Sequence, residues 1–186
     1  MPLEEIAVFV AEVLPRASVE YVVIGGIAVG VFGKPRSTRD VDVVFAIPSE
    51  RISNVLDELA GAGLVLNHRA NVEAKLKAGR PAKILWDKKF SLDLRLATFS
   101  IDLDAIAHAA SVTFQGRRLA VARPEELIVY KLARFSDQDR GDIRNLMQIQ
   151  AGALRWPRIK KLAGKLAEES GLTEIPGRLD TISRWR

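Results

Sequence analysis

The sequence has no cysteine, only two histidines, and no apolar run approaching the roughly 18 residues that a membrane-spanning helix needs. Without cysteine there is no disulfide scaffold, no zinc–thiolate site and no thiol nucleophile. His68 and His108 are far apart in sequence, and neither has a second histidine at metal-ligand spacing, so both read as structural or surface groups. Glu4 and Glu5 stand where a secretory signal would carry basic residues. The expectation is a cytoplasmic protein with no membrane partner. Two phosphate-binding signatures also fail. Pro35 follows "GK" where a P-loop needs Ser or Thr, and the glycines at 25, 26, 30 and 33 do not form the dinucleotide fingerprint.

The 186 residues are 48% hydrophobic, enough for one domain with a sizeable core. The net charge of +5 is uneven: residues 151–186 hold eight Lys/Arg against four Asp/Glu, and the rest of the chain is nearly balanced. An acidic partner such as nucleic acid is compatible with that asymmetry but not required by it.

Helical spacing of Ile6, Val10, Val13 and Leu14 predicts a first helix ending near Pro15. "VEYVVI" predicts a buried strand stopping at Gly25-Gly26, "IAVGVFG" a short helix, and "RDVDVVFAI" a second strand. A helix is expected from Ser49 to about Leu59, and residues 64–80 are read as an edge strand and a loop. "AKILWDKKFSLDLRLA" predicts a hairpin turning at Asp87–Lys89, with Leu92, Leu94 and Leu96 on one face and Ser91, Asp93 and Arg95 on the other. A short helix (102–109) and a second hairpin around Gln115-Gly116 follow. Pro124 then opens an amphipathic helix, and two more helices complete the chain. The expected division is a core over 1–122 and a helical segment over 123–186 packed on it.

Within "RDVDVVF", alternation places Val41, Val43 and Phe45 on one face and Asp40 with Asp42 on the other. Two such carboxylates repel and raise each other's pKa unless a cation lies between them. An oxygen-rich pair suits a hard ion, Mg²⁺ or Mn²⁺, that shares its coordination with substrate phosphates. Asp93 is a third strand-borne carboxylate on a non-core face. If its strand lies beside the first, three carboxylates converge and can hold two ions about 4 Å apart. Upstream, Gly25-Gly26 ends a strand and opens a helix, where backbone amides and the helix N-terminus favour phosphate. Lys34, Arg36 and Arg39, with Ser37 and Thr38, add groups that hold phosphate oxygens.

The "GG" at Gly25-Gly26, "RSTRDVD" ending at Asp42 and "LDLR" around Asp93 resemble the nucleotidyltransferases of the DNA polymerase β-like superfamily, in particular its small prokaryotic members, including the AbiEii-type toxin group. "RPEELIVYKLAR…DRGDIRNL" is similar to the helical segment those proteins carry after the core. The resemblance implies an α+β fold, a short mixed sheet flanked by helices with a C-terminal helical extension. It implies transfer of a nucleoside monophosphate from a nucleoside triphosphate to an acceptor hydroxyl on RNA, protein or a small molecule. Asp40, Asp42 and Asp93 would be catalytic and metal-binding, with Asp93 helping to deprotonate the acceptor. Gly25, Gly26, Arg36, Thr38, Arg39 and Lys131 would bind the nucleotide. A toxin role with a cognate antitoxin is a further implication. Many members have Ser after the first glycine; Gly26 stands there in this chain, so backbone amides carry more of the phosphate binding. Alternative readings are a sugar-nucleotide transferase of the DxD type and a binding protein that keeps the fold without turnover.

Other charged groups receive milder readings. Asp87 reads as a hairpin residue, and Asp137, Asp139 and Asp142 as helix-capping or surface charges. In the basic C-terminal stretch, Arg155, Arg158, Lys160, Lys161 and Lys165 read as a solvated helix face, or as a contact for an acidic acceptor such as RNA. Leu162 and Leu166 would anchor that helix to the body.

Overall fold

The computed structural model describes residues 2–185. The amphipathic α1 (Pro2–Arg16) buries Ile6, Val10, Val13 and Leu14 and runs through Pro15, whose missing N–H falls in its last turn. β1 (Glu20–Ile24) leads into α2 (Gly25–Phe32), and β2 (Asp40–Ala46) follows a seven-residue loop. A 3₁₀ turn (Ser49–Arg51) opens α3 (Ile52–Gly61). Then come α4 (Arg69–Lys77), β3 (Ala82–Leu85), β4 (Ser91–Leu96) and α5 (Ser100–Ala107). β5 (Ala110–Phe114) and β6 (Arg117–Val121) form a hairpin, and α6 (Pro124–Arg134), α7 (Asp137–Ile149), α8 (Trp156–Ser170) and α9 (Ile175–Ser183) complete the chain.

The strands form one six-stranded sheet in the order β3-β4-β2-β1-β6-β5. β2 pairs antiparallel with β1 and parallel with β4, so the sheet is mixed, as expected. Val41, Val43 and Phe45 of β2 and Leu92 and Leu94 of β4 are buried in a core that runs from α1 to α9. Because a strand's side chains alternate, burying these residues turns Asp40, Asp42, Ser91 and Asp93 to the opposite face. Among the described residues no helix is long and apolar enough to cross a membrane.

Residues 64–80 differ from expectation. Instead of an edge strand they contain α4, which buries only Val72 and Leu76, one helical turn apart. Two apolar anchors in nine residues give a weak periodic signal. Polar contacts support the helix instead: Arg69 reaches Asp57 at 2.6 Å, and Glu73 pairs with Lys77 at 2.8 Å. The strand at this edge of the sheet is β3, and β5 forms the other edge. A last helix, α9, also lay outside the expected set; it is held by buried Ile175 and Ile182.

Candidate active site

The sheet register decides which polar groups meet. Ile24 pairs with Asp42, Asp42 with Asp93, and Asp93 with Lys83, a single row across β1, β2, β4 and β3. Asp40 pairs with Ser91 in the next row on the same face. The Ser91 Oγ lies 2.6 Å from Asp40 Oδ1 and 2.9 Å from Asp93 Oδ1. One hydroxyl proton serves only one of these oxygens at a time, so the cluster calls for a further cation or proton. Lys83 supplies one: its Nζ is 2.9 Å from Asp40 Oδ1 and 3.6 Å from Asp93 Oδ2.

Electrostatics separate the three acids. Burial pushes the Asp42 carboxyl up to about 6, and the charges of Asp93 and Asp40 push the same way. Asp93 is also raised, chiefly by burial. Burial acts upward on Asp40 too, but Ser91 and Lys83 outweigh it and hold its carboxyl below the ordinary range. Among the described residues no three acidic or histidine side chains are gathered tightly enough to enclose an ion as they stand. The donor set nevertheless fits Mg²⁺ or Mn²⁺. It is all oxygen, Asp93 and Asp40 press like charge on Asp42, and it already holds an ammonium as a stand-in cation.

Gly25 is required here for two reasons. Its φ is +67°, a left-handed conformation in which side chains are strained, and a Cβ would fall 1.9 Å from Asp42 Oδ2. The first glycine therefore makes room for the carboxylate as well as turning the chain. At Gly26 a Cβ would lie 2.9 Å from Thr38 Oγ1 and 3.3 Å from an Arg36 terminal nitrogen. That packing sets Thr38 and Arg36 over the start of α2, whose N-terminus has no side-chain cap. Arg39 is exposed beside Asp40. Gly25→Ala is expected to displace the Asp42 carboxylate and to cost at least about 1–2 kcal/mol from the left-handed strain. Denaturant melts would show the loss, and Mn²⁺ titration followed by electron paramagnetic resonance should show weakened binding.

A second polar layer comes from α6 and α7. Asp142 is buried, not a surface charge; it accepts two hydrogen bonds from Arg36, at 2.9 and 3.0 Å, and one from Lys131 at 2.6 Å. Lys131 is buried and also contacts Asp139 at 3.3 Å. Asp139 caps α7 with Ser136 and pairs with Arg134 at 2.8 Å. Burial raises the Asp139 carboxyl, but Arg134, Ser136 and Lys131 overcome it and hold the group far below the ordinary range. Asn145 exchanges hydrogen bonds with the Lys34 backbone, at 3.0 and 3.1 Å, fixing the loop before β2 to α7.

Lys83, Ser91, Asp142 and Asn145 were not singled out as site residues from the sequence. A hairpin centred on Lys88 pairs 83 with 93, so Lys83 was within reach of register arithmetic. Asp142 and Asn145 carry no such signal, since the loop groups they hold, Arg36 and Lys34, lie more than 100 residues away in sequence. In the basic C-terminal stretch, read as a solvated helix face or a contact for an acidic acceptor, Arg155 and Arg158 are engaged in ion pairs. Arg155 pairs with Glu125 at 2.9 Å, and Arg158 pairs with Glu126 at 2.5 Å and with Asp104. These contacts lie at the start of α6. Arg134, whose charge acts on the Asp42 carboxyl, is eight residues beyond Glu126, about 12 Å along the helix. Leu162 and Leu166 are buried, as expected.

Residues 3–171 match the family described as nucleotidyl transferase of unknown function (DUF2204). No curated protein matches the sequence. Among solved structures, the chain is similar to an antigenic nucleotidyltransferase-like protein from Paracoccidioides brasiliensis, at 16% identity and a TM-score of 0.55, over 96% of this chain and 92% of that one. It is similar to the lincosamide antibiotic adenylyltransferase LnuA, solved with lincomycin, at 17% identity and a TM-score of 0.50, over 80% of this chain and 98% of that one. It is also similar to ANT(2″)-Ia, solved with adenylyl-2″-tobramycin, at 16% identity and a TM-score of 0.50, over the full length of both. At such identities the structures speak to the fold, and the fold they share is this one. With most of its length matched, the chain belongs to the nucleotidyl transferases of the DUF2204 family.

Proposed function

We propose that the protein transfers a nucleoside monophosphate from a nucleoside triphosphate to an acceptor hydroxyl, with Mg²⁺ or Mn²⁺ held by Asp40, Asp42 and Asp93. The observation that carries this reading is the register that sets Asp42 beside Asp93, with Asp40 on the same face, next to the uncapped start of α2. A bound divalent ion would neutralise phosphate charge and activate the acceptor oxygen. The acceptor oxygen bonds to the α-phosphorus, and its proton passes to Asp93. The bond from that phosphorus to the bridging oxygen breaks, and pyrophosphate leaves with the electron pair.

The chain's own part is positioning and charge. Amides at Gly25 and Gly26 and the α2 N-terminus suit the triphosphate, with Thr38 and Arg39 beside it. Arg36 is tied to Asp142, and the terminal nitrogen that donates to that carboxylate also lies next to Gly26. Lys131 holds Asp142 and Asp139 and so supports the phosphate side from beneath. Residues 1–122 are read as the core and 123–186 as a helical segment completing the site, since Lys131, Arg134 and Asp142 come from the latter. A cytoplasmic location, a toxin role and a cognate antitoxin rest on the sequence reading. Growth arrest on expression, relieved by a neighbouring gene product, tests the toxin and antitoxin.

One observation favours a second reading, a binding protein without turnover: the Lys83 ammonium sits between two of the carboxylates a metal would need. Incubation with each common nucleoside triphosphate labelled at the α-phosphate separates the two. Transfer predicts Mn²⁺-dependent pyrophosphate release and a labelled acceptor, both lost in Asp93→Asn. Triphosphate binding with no pyrophosphate release, in the presence of cell extract as acceptor source, supports the second reading.

A further inference from the structure

Cations gather at the mouth of the carboxylate site, on the side away from the glycine turn. Lys83 lies on β3, at the edge of the sheet, directly opposite Asp93. Its ammonium touches Asp40 and Asp93 while the side chain is 53% exposed. Lys88 and Lys89 occupy the β3–β4 turn, just before Ser91, and both are exposed. Arg39 joins them, because its carbonyl accepts from the Ser91 N–H at 2.9 Å. The acid of that turn, Asp87, is committed to the backbone: its Oδ1 accepts from the N–H groups of Lys89 and Phe90, at 2.7 Å each. The rim thus carries four cations against Asp87 and the carboxylates assigned to metal.

An acceptor oxygen within hydrogen-bond reach of Asp93 lies within roughly 7 Å of the Lys83 ammonium. Whatever is modified at this site therefore meets Lys83 first, with Lys88, Lys89 and Arg39 behind it. A polycationic acceptor such as an aminoglycoside would find mostly like charge, with Asp87 the one acid of the turn. A chain of phosphodiesters would find the reverse.

We propose that this rim receives the hydroxyl-bearing end of a nucleic-acid strand, its phosphates lying along Lys88, Lys89 and Arg39 with Lys83 at the terminal one. The inference rests on the nucleotidyl-transfer reading above and adds the class of acceptor. A divalent ion held by Asp40 and Asp93 would free the Lys83 ammonium, whose half-exposed side chain could then turn to phosphate. This surface is distinct from the basic stretch of α8, where Arg155 and Arg158 are already paired.

The test is the salt dependence of affinity for a short single-stranded RNA with a free 3′ hydroxyl, measured by fluorescence anisotropy with Mg²⁺ and a non-hydrolysable triphosphate. Wild type is compared with Lys88→Ala/Lys89→Ala, whose changes are confined to an exposed turn. Each phosphate contact on a single strand contributes a slope of about 0.7 in log affinity against log salt, so the double variant is expected to lose up to about 1.4. Thermal stabilisation by triphosphate should be unchanged in it. Equal slopes would overturn the proposal, as would tighter binding of tobramycin than of RNA. So would no RNA binding at low salt by a wild type that still binds triphosphate. RNA binding through these lysines without any triphosphate binding would support the rim and overturn the transferase reading.

Discussion

Asp42→Asn is expected to make the metal-free protein more stable near neutral pH while lowering transfer by at least about 100-fold, the scale of losing one group aimed at developing charge. Burial, with Asp93 and Asp40 beside it, raises the folded-state pKa of Asp42 to about 6 from an ordinary 3.8. For an acid raised on folding, the charged form is the penalised one. The penalty is fully present above the folded value, shrinks as pH falls through it, and vanishes below the unfolded value. Above pH ~6 it is worth about 3 kcal/mol, and below pH ~4 nothing. Asparagine removes it, so variant and wild type should match in stability at pH ~4 and diverge as pH rises, with the variant ahead. Adding Mn²⁺ at pH 7 should stabilise the wild type and leave the variant nearly unmoved. Melts across pH in chelator and in Mn²⁺ provide the comparison. A variant less stable than wild type at pH 7 in chelator would mean that the Asp42 carboxylate carries no such penalty from burial and like charge.

The opposite pattern is expected at Lys131, which should matter first for folding. Its side chain is 7% exposed, between Asp139 at 3% and Asp142 at 5%. Lys131→Ala leaves two buried carboxylates short of a partner, and breaking a buried pair from one side typically costs about 3–5 kcal/mol. Arg36 and Arg134 remain to share the load, which favours the lower end. Lys131→Met combined with Asp142→Asn removes charge from both sides and should recover much of the loss. A double-mutant cycle in denaturant measures that coupling. If Lys131→Ala instead folds within about 1 kcal/mol of wild type but no longer binds triphosphate, Lys131 is a phosphate ligand, as the resemblance implies, and not a strut beneath the site.

The fold was legible wherever burial imposes a period. The β-branched run of β1, the alternation in β2 and β4, and the apolar stripes of α1 and α6 each follow from one face meeting the core. α4 was not legible, because its anchors are only Val72 and Leu76 and its stability is shared with surface ion pairs. At the site, Asp40, Asp42 and Asp93 stood out because acids in a valine-rich strand need a reason. Gly25 stood out as a turn, but its role in clearing space for Asp42 needs the two elements in contact. Asp142 looked like one more acid on a polar helix. Only the tertiary fold, which brings it against Arg36 and Lys131, buries it. Lys83 lay between these cases: a hairpin register makes it Asp93's neighbour, but only the parallel pairing of β2 with β4 makes it Asp40's partner as well.

The central claim is that the three carboxylates form one metal site, which Lys83 vacates when it fills. Anomalous diffraction at the manganese edge, from crystals grown with Mn²⁺ and a non-hydrolysable triphosphate, tests it directly. Manganese is expected between Asp40, Asp42 and Asp93, at oxygen distances of about 2.1–2.2 Å. The Lys83 ammonium should have moved off Asp40 Oδ1, and the triphosphate should lie against Gly25 and Gly26. Manganese absent or bound elsewhere, with Lys83 still between Asp40 and Asp93 and triphosphate present, would contradict the account.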